Sequence, residues 1–304
     1  MLTGLLKGLR AALVAPVLAA TITALGGTAA AQAPPPELLP DLQGLPAEDL
    51  EIEGGAGRRD LRLTTTVANG GAGAFEVFPE VGTGGSCDGD GDVDNDRLAY
   101  QRVFNDADGN GHFDRAIDTG STSIEVGCMI YHPQPGHNHW HFEDLASYDL
   151  RIPGTDVVVA STTKVGFCLV DFLPFDTGLP GHPSDEYYDD CGRDATMGIS
   201  VGWGDTYGSH LFGQSIDITD LPDGEYCLTV TGDPSDIVRE TNELNNESRM
   251  LIALFGGSVT SSDGPCVART TTEQTGDLRV GPTRTKCKRK AKGSGKKKAK
   301  KLPL

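Results

Sequence analysis

The sequence lacks three patterns that would assign it at once to a familiar class. Beyond residue 31 it has no apolar run long enough to cross a membrane. It contains no C-x-x-C pair of the zinc-ribbon or thioredoxin kind, and no H-E-x-x-H motif of the metalloproteases. Aromatic residues make up only 6%, whereas glycine and proline number 40 and 18. This composition favours a fold of many turns and short strands.

Basic residues are scarce outside the C-terminal segment. Residues 284–301 hold 11 of the 26 lysines and arginines and no acidic residue, so the rest carries 15 basic against 43 acidic residues, a formal charge of −28. Such a body attracts cations and repels nucleic acid, which argues against a DNA- or RNA-binding function. The basic segment is typical of a disordered tail. This tail either keeps the protein soluble or docks on the rest of its own chain. Alternatively, it retains the protein on an anionic cell envelope.

The N-terminal residues predict export. Lys7 and Arg10 precede the apolar run 11–20, and the alanines at 29–31 offer a cleavage site. We therefore expect a signal peptide over 1–31, a proline-rich leader over 32–37, one folded domain over 38–270 and the basic tail over 271–304. In an exported chain six cysteines can form three disulfides, and their spacing leaves the pairing open. They are Cys87, Cys128, Cys168, Cys191, Cys227 and Cys266, with Cys287 left over in the tail.

Alternating patterns predict an all-β fold, an antiparallel β-sandwich core with long metal-binding loops. Leu61, Leu63, Thr65 and Val67 alternate with polar residues, and no long amphipathic helical pattern is present. A turn at 69–71 separates this strand from a second one at 75–78. Further strands are predicted over 145–152, 156–161, 166–170, 214–219, 225–232 and 248–255.

The motif His137-Asn-His139-Trp-His141 predicts a metal site. In an extended strand alternate side chains share a face, so the three imidazoles lie together while Trp140 takes the other face. Alternate residues on a flat strand are roughly 6.6 Å apart, so the strand must curl or end there for all three rings to reach one ion. Imidazole suits zinc, copper, iron or nickel.

An acidic stretch before the histidines resembles the start of an EF-hand calcium loop. Asp106, Asp108 and Asn110 precede Gly111, and Asp114 takes the ninth position. Ile117 stands at the twelfth position, where a full EF-hand has its bidentate acid. The stretch is therefore either an exposed acidic loop or a second calcium site.

Lys164 is the only lysine between the signal peptide and the tail. A desolvated lysine can lose its proton near neutral pH and arginine cannot, so a single lysine among arginines indicates amine chemistry. Tyr207, in the block GDTYG, is either a packed aromatic or, beside copper, a residue that O₂ oxidises to a quinone which a nearby amine captures.

From about Leu38 to Cys266 the chain resembles the lysyl oxidase family. The resemblance is carried in order by LLPDL, LRLTTTVANGGAGAFEVFP, HNHWHFEDLASYDL, TTKVGFCLVD, GDTYG, QSIDITDLPDGEY and DPSDIVRETNELNN. It implies that His137, His139 and His141 bind Cu(II) and that Lys164 and Tyr207 cross-link into lysine tyrosylquinone.

The activity that the resemblance implies is the oxidative deamination of primary amines, peptidyl lysine or small amines, by O₂, with release of an aldehyde, ammonia and H₂O₂. Asp205, two residues from Tyr207, is the candidate general base. The family also implies a structural calcium ion that joins the start of the domain to its end. Its ligands are expected at Asp41, Leu42 (through its carbonyl), Glu240, Asn242, Asn245 and Asn246.

The chain departs from the animal members of the family in several places, and we expect a secreted, bacterial form. Gly136 stands where animal members carry a disulfide cysteine, so Cys191 loses its expected partner, and Cys128 or Cys168 could replace it. The Trp-rich lead-in to the histidines is absent, and the segment from Lys164 to Tyr207 is longer.

Two other functions remain open on the sequence. A non-catalytic β-sandwich that binds metal and calcium at the cell surface explains the histidines and the acidic loops, but not the single body lysine or the GDTYG block. The second is a zinc-dependent hydrolase, with the three histidines as ligands and an open fourth position for water. No motif for a catalytic base supports it.

Overall fold

Seventeen β-strands and no helix are found among the described residues, which confirms the predicted all-β class. The computed structural model describes residues 34–80, 87, 95–133, 138–164, 166–193, 196–262 and 265–267, without the side chains of Thr163 and Lys164. The predicted signal peptide, the basic tail, Cys287 and His137 lie outside the described residues. No described segment is therefore an apolar helix that could span a membrane.

The strands are, in chain order, β1 (Glu37–Leu38), β2 (Leu42–Gly44), β3 (Glu48–Gly55), β4 (Arg58–Asn69), β5 (Phe75–Pro79), β6 (Asp96–Asn105), β7 (Ser121–His132), β8 (His139–Phe142), β9 (Ala146–Arg151), β10 (Val158–Lys164), β11 (Leu173–Pro174), β12 (Met197–Ile199), β13 (Trp203–Tyr207), β14 (Ser215–Asp217), β15 (Gly224–Gly232), β16 (Glu247–Phe255) and β17 (Ser258–Ser262).

The strands form three antiparallel sheets. The first has the order β12-β5-β6-β7-β8, with β1 paired to β6, and the second has the order β10-β9-β15-β16-β17. In the third, β4 pairs with β13 and β14 along one edge and with β2 and β3 along the other, and β11 pairs with β13. The long strand β4 thus holds the first and last thirds of the fold together.

Side-chain alternation explains how these sheets pack. Along β9, Ala146, Tyr148 and Leu150 are buried, and the residues between them are partly exposed. Tyr148 joins Leu61 of β4 and Phe75 of β5 in one apolar core to which all three sheets contribute. Burial of each such large side chain contributes about 1.5–3 kcal/mol to folding.

The turn after β4 brings the N-terminal segment against this core. Asn69 accepts hydrogen bonds from the amides of Asp41 and Gly71, and its Nδ2 donates to the carbonyls of Gly73 and Ile199. A Cβ on Gly71 would lie 2.4 Å from the carbonyl carbon of Pro40, so only glycine fits at this crossing.

Three disulfides link Cys87 to Cys128, Cys168 to Cys191, and Cys227 to Cys266. Cys191 therefore pairs with Cys168, one of its two expected partners. Each bridge contributes about 2–4 kcal/mol, chiefly by restricting the unfolded chain.

One strand prediction is wrong. Residues 166–170 form no strand, and only Phe167 pairs, with Phe142 of β8, because this segment is buried between elements. Strands β6 and β7, between the second predicted strand and the histidines, were not predicted. Aspartates flank the alternating residues of β6 and obscure its pattern.

Candidate metal and cofactor site

Three histidines lie on one face of the hairpin formed by β7 and β8. His132 of β7 pairs directly with His139 of β8, and His141 follows two residues later on the same face. Nε2 of His139 is 2.9 Å from Nε2 of His141, and the His132 and His141 ring centres are 4.3 Å apart. Trp140 packs on Tyr131 on the other face.

The distance between the two Nε2 atoms fits a shared metal ion. Metal–imidazole bonds are about 2.0 Å long, so two such ligands at a right angle place their nitrogens roughly 2.8 Å apart. The strand is short and ends at Phe142, so the 6.6 Å spacing of a flat strand does not hold the two rings apart.

Residues 166–168 connect this face to Tyr207. Phe142 and Phe167 exchange two backbone hydrogen bonds of 2.7 and 2.9 Å. Gly166, with a φ of +82°, passes so close to His141 that a Cβ there would lie 2.7 Å from the His141 Cβ and 2.6 Å from Oε1 of Glu143. The Phe167 ring packs edge-on against Tyr207, with ring centres 4.5 Å apart.

Tyr207 ends β13 and points into the interior. Its hydroxyl donates a 2.8 Å hydrogen bond to the carbonyl of Cys168, whose side chain is bridged to Cys191. Burial raises the pKa of Tyr207 well above its usual value, and the nearby Asp205 carboxylate raises it further. The phenol is therefore neutral at physiological pH.

Asp205 and Tyr207 are two residues apart on one strand and share its inner face. Asp205 is only 3% exposed. Its charge also acts on Tyr148, whose pKa burial raises to about 12. The Tyr148 hydroxyl accepts hydrogen bonds from Thr65 at 2.9 Å and from Gln214 at 3.1 Å, which hold it in place near the candidate base.

Lys164 is the last residue of β10, where its backbone pairs with Ala146. It lies two residues before Gly166 in sequence and three before Phe167, the residue that packs on Tyr207. The chain thus brings the lysine strand, the tyrosine strand and the histidine strand to one region. The side chains of Lys164 and His137 lie outside the described part of the chain.

The predicted calcium residues come from two distant segments and meet. Asn245 Nδ2 donates to Asp41 at 3.0 Å, Asn246 Nδ2 donates to Glu240 at 2.6 Å, and Glu240 also accepts the amide of Leu42. Asn242 is exposed nearby, and its side chain accepts the amide of Leu244.

This site has the character of a cation site. Oδ1 of Asp41, Asn245 and Asn246 are buried and have no hydrogen-bond partner within the described ranges. Burial raises the pKa of Glu240 to about 8, and the neighbouring Glu243 adds to the shift. Buried oxygens and a disfavoured carboxylate are what a calcium ion would satisfy.

The acidic loop between β6 and β7 is held by its own backbone. Asp106 accepts amides from Gly109, Asn110 and Gly111, and these bonds lower its pKa although desolvation opposes them. Carboxylate oxygens of Asp106, Asp108 and Asp118 lie within 4.8 Å of one another. Asp114 instead accepts the amide of Ala116.

Sequence reasoning missed His132, Glu143 and Asp118. Alternation continued two residues past His141 would have placed Glu143 on the metal face. Asp118 follows the twelfth loop position by one residue, so a motif search that allowed a shift of one position would have found it. His132 is visible only once β7 is paired with β8, because nothing local marks it.

These observations define a disulfide-bonded, all-β domain with a histidine-rich face next to a half-buried tyrosine. Residues 124–263 match the family model described as lysyl oxidase. The chain is 37% identical to human protein-lysine 6-oxidase over 121 residues. The aligned region covers 40% of this chain and 27% of that protein. The chain is 33% identical over 128 residues to human lysyl oxidase homolog 1, covering 42% and 21%, and 36% identical over 121 residues to pig protein-lysine 6-oxidase, covering 40% and 45%.

Over residues 124–263 the chain is thus similar to the lysyl oxidase family. It spans less than half the length of the relatives named here. The matched region contains β8, β10, β13 and residues 240–246, whereas Asp41, Leu42 and the acidic loop around Asp106 and Asp118 lie before it.

Proposed function

We propose that this chain is a secreted copper-dependent amine oxidase of the lysyl oxidase type. The observation that carries the proposal is the chain of contacts from His141 through Gly166 and Phe167 to Tyr207, with Lys164 just upstream. Residues 166–168 link the histidine face of β8 to Tyr207 of β13, and Lys164 of β10 precedes them in the sequence. A binding module has no need of the tyrosine or the lysine.

His137, His139 and His141 would hold Cu(II), and Lys164 and Tyr207 would form lysine tyrosylquinone. When present, copper and the quinone supply electron transfer to O₂ and an electron acceptor for oxidation of the amine. Imidazole nitrogens suit copper, and the 2.9 Å spacing of two of them is that of adjacent ligands.

Asp205 is proposed as the general base. It lies on the same face as Tyr207 and is nearly excluded from water, so a proton taken from the carbon next to the substrate nitrogen can be held there. Tyr148, Thr65 and Gln214 keep that region ordered. The Cys168 carbonyl fixes the Tyr207 ring before the cross-link forms.

The substrate class is a cationic primary amine, either peptidyl lysine or a small amine. The acidic body favours such molecules electrostatically. One amine, one O₂ and one water give one aldehyde, one ammonia and one H₂O₂, so two electrons pass from the carbon–nitrogen bond to O₂.

Export and calcium complete the proposal. A signal peptide over 1–31 and three disulfides suit an extracellular enzyme, with the catalytic domain over 38–270. The six oxygen donors at Asp41, Leu42, Glu240, Asn242, Asn245 and Asn246 would bind a structural calcium ion. A second calcium ion at Asp106, Asp108, Asn110 and Asp114 stays a prediction.

Peptide mass spectrometry on full-length protein loaded with copper in air tests the cofactor. We expect one species that joins the Lys164 and Tyr207 peptides, together with quinone absorbance that phenylhydrazine alters. Lys164→Arg keeps the charge but has no primary amine, so we expect it to bind copper and form no cross-link.

Two separate, unmodified peptides in copper-loaded protein would refute the oxidase and favour a metal-binding surface module. Quinone absorbance that persists in Lys164→Arg would refute the cross-link assignment alone.

A further inference from the structure

Two residues beside the three-histidine motif have no role in the function proposed above. His132 lies on the other strand of the hairpin, on the same face as His139 and His141. Glu143 is buried, with 8% of its surface exposed. Ligand atoms of His132, His141 and Glu143 all lie within 4.8 Å of one another.

The two ring nitrogens of His141 face different surroundings. Nε2 is directed at Nε2 of His139 at 2.9 Å. Nδ1 lies on the Gly166 side, where a Cβ on Gly166 would be 2.8 Å from it and 2.6 Å from Oε1 of Glu143. Nε2 of His141 thus faces the shared histidine face, whereas Nδ1 of His141 and Oε1 of Glu143 are both buried and both lie beside Gly166.

We propose that His132 is a fourth imidazole ligand of the metal centre and that Glu143 orients His141 through its Nδ1. A carboxylate on the second ring nitrogen fixes the tautomer and orientation of a ligating histidine and makes it more basic. Antiparallel pairing, rather than a local motif, supplies the fourth ligand. This proposal rests on the proposed function, because it takes copper as the ion.

Copper titration with a competing chelator, followed by electron paramagnetic resonance, tests both roles. In His132→Ala we expect the copper hyperfine pattern to lose one nitrogen and the copper affinity to fall at least tenfold. Glu143→Gln retains the nitrogen count and weakens binding about 10–100-fold, the usual effect of an outer-shell partner. His112→Ala, in the loop between β6 and β7, is the matched control and changes neither measurement.

His132→Asn is made alongside His132→Ala as a second variant without the imidazole. Circular dichroism shows whether either variant has a folding defect. A hyperfine pattern and affinity in both His132 variants equal to those of His112→Ala would overturn the ligand assignment. Unchanged affinity in Glu143→Gln would overturn the orienting role. If the parent protein itself binds no copper, the proposed function fails and this proposal fails with it.

A second inference comes from the distribution of lysine, which is independent of the metal site. Nine of the eleven lysines lie in residues 286–301, and the others are Lys7 and Lys164. Every basic residue of the body except Lys164 is arginine, which a lysine oxidase cannot deaminate. The body therefore offers its own active site no competing primary amine on a side chain.

We propose that the lysines of residues 286–301 are a substrate of this enzyme, in its own or a neighbouring molecule; this deepens the proposed function. The segment is opposite in charge to the −28 body, which would raise its local concentration there. Eighteen residues lie between Val267 and Lys286, and the nineteen steps from one to the other span at most about 65 Å in an extended chain. Each oxidised side chain consumes one O₂ and one water and yields an aldehyde, ammonia and H₂O₂.

Mass spectrometry of tail peptides, run beside an assay of H₂O₂ release from a small diamine, separates the two levels of the proposal. We expect lysine-to-aldehyde conversion in the copper-loaded parent and none in Lys164→Arg. Diamine oxidation with intact tail lysines would overturn the tail assignment alone. No diamine oxidation in a copper-loaded parent would overturn the proposed function.

Discussion

Gly166 is needed for two separate properties at the point where it passes His141. Its φ of +82° favours glycine, and it has no Cβ where one would lie 2.6–2.8 Å from Glu143 and His141. We expect Gly166→Ala to push the His141 ring out of place. Copper affinity should fall at least tenfold, and the quinone yield should fall with it.

Gly257→Ala is the matched control for that variant. Gly257 has a φ of +87°, and a Cβ added to it would meet no heavy atom within 4 Å. Its substitution therefore adds the same backbone strain, of order 1 kcal/mol, without crowding. Equal copper affinity in the two variants would show that Gly166 does not shape the metal face.

Asp205 gives the sharpest test of a catalytic role at a single residue. Asp205→Asn keeps the size and burial of the side chain and removes its capacity to accept a proton. We expect kcat for a small amine to fall by about 10²–10⁴-fold, while phenylhydrazine still reacts with the quinone. An unchanged kcat, with Asp217→Asn on β14 as the surface control, would remove Asp205 from the mechanism.

At the scale of elements, the disulfide between Cys168 and Cys191 has a role beyond stability. It closes a segment of 23 residues, against 39 for Cys227–Cys266, so loop entropy gives the two bridges similar value, about 3–4 kcal/mol. Of these four cysteines, only Cys168 also accepts a hydrogen bond from the Tyr207 hydroxyl, through its backbone carbonyl. Double serine replacement should lower the melting temperature in both cases but reduce cross-link formation only for Cys168 and Cys191.

The contrast between the two double variants is what tests this assignment. Comparable cross-link yield at about 10 °C, a temperature near that of maximum stability for most domains, would show that the Cys168 carbonyl does not need its bridge to hold Tyr207.

Predictability from sequence also differs between elements. Strands β4, β9 and β15 are predictable because apolar and more polar residues alternate in their sequences. Burial itself alternates only along β9, whereas the middle of β4 and of β15 is buried on both faces. The segment 166–170 misleads because it is apolar and buried without pairing as a strand. His139, His141 and Tyr207 follow from motifs, whereas His132 requires the register of β7 on β8. Such non-local pairing is set by the whole sheet and leaves no local pattern.

At the scale of the whole molecule, the oxygen cluster of Asp41, Glu240, Asn245 and Asn246 joins the start of the domain to its end. These segments are about 200 residues apart in sequence. A cation bound there would stabilise the folded state by about 2.7 kcal/mol when calcium is a hundred times its Kd. For a domain of this size that corresponds to roughly 5–10 °C in Tm.

We therefore expect Tm to fall by that amount when a chelator removes calcium and to recover when calcium is added back. Glu240→Gln keeps the shape of the side chain and loses its charge, so most of the calcium-dependent shift should disappear in it. Glu51→Gln, an exposed change on β3, should retain the full shift. A chelator effect of equal size in Glu240→Gln and Glu51→Gln would place the stabilising ion elsewhere. The acidic loop around Asp106 and Asp118 would then be the next position to test, because its buried carboxylates also lie near one another.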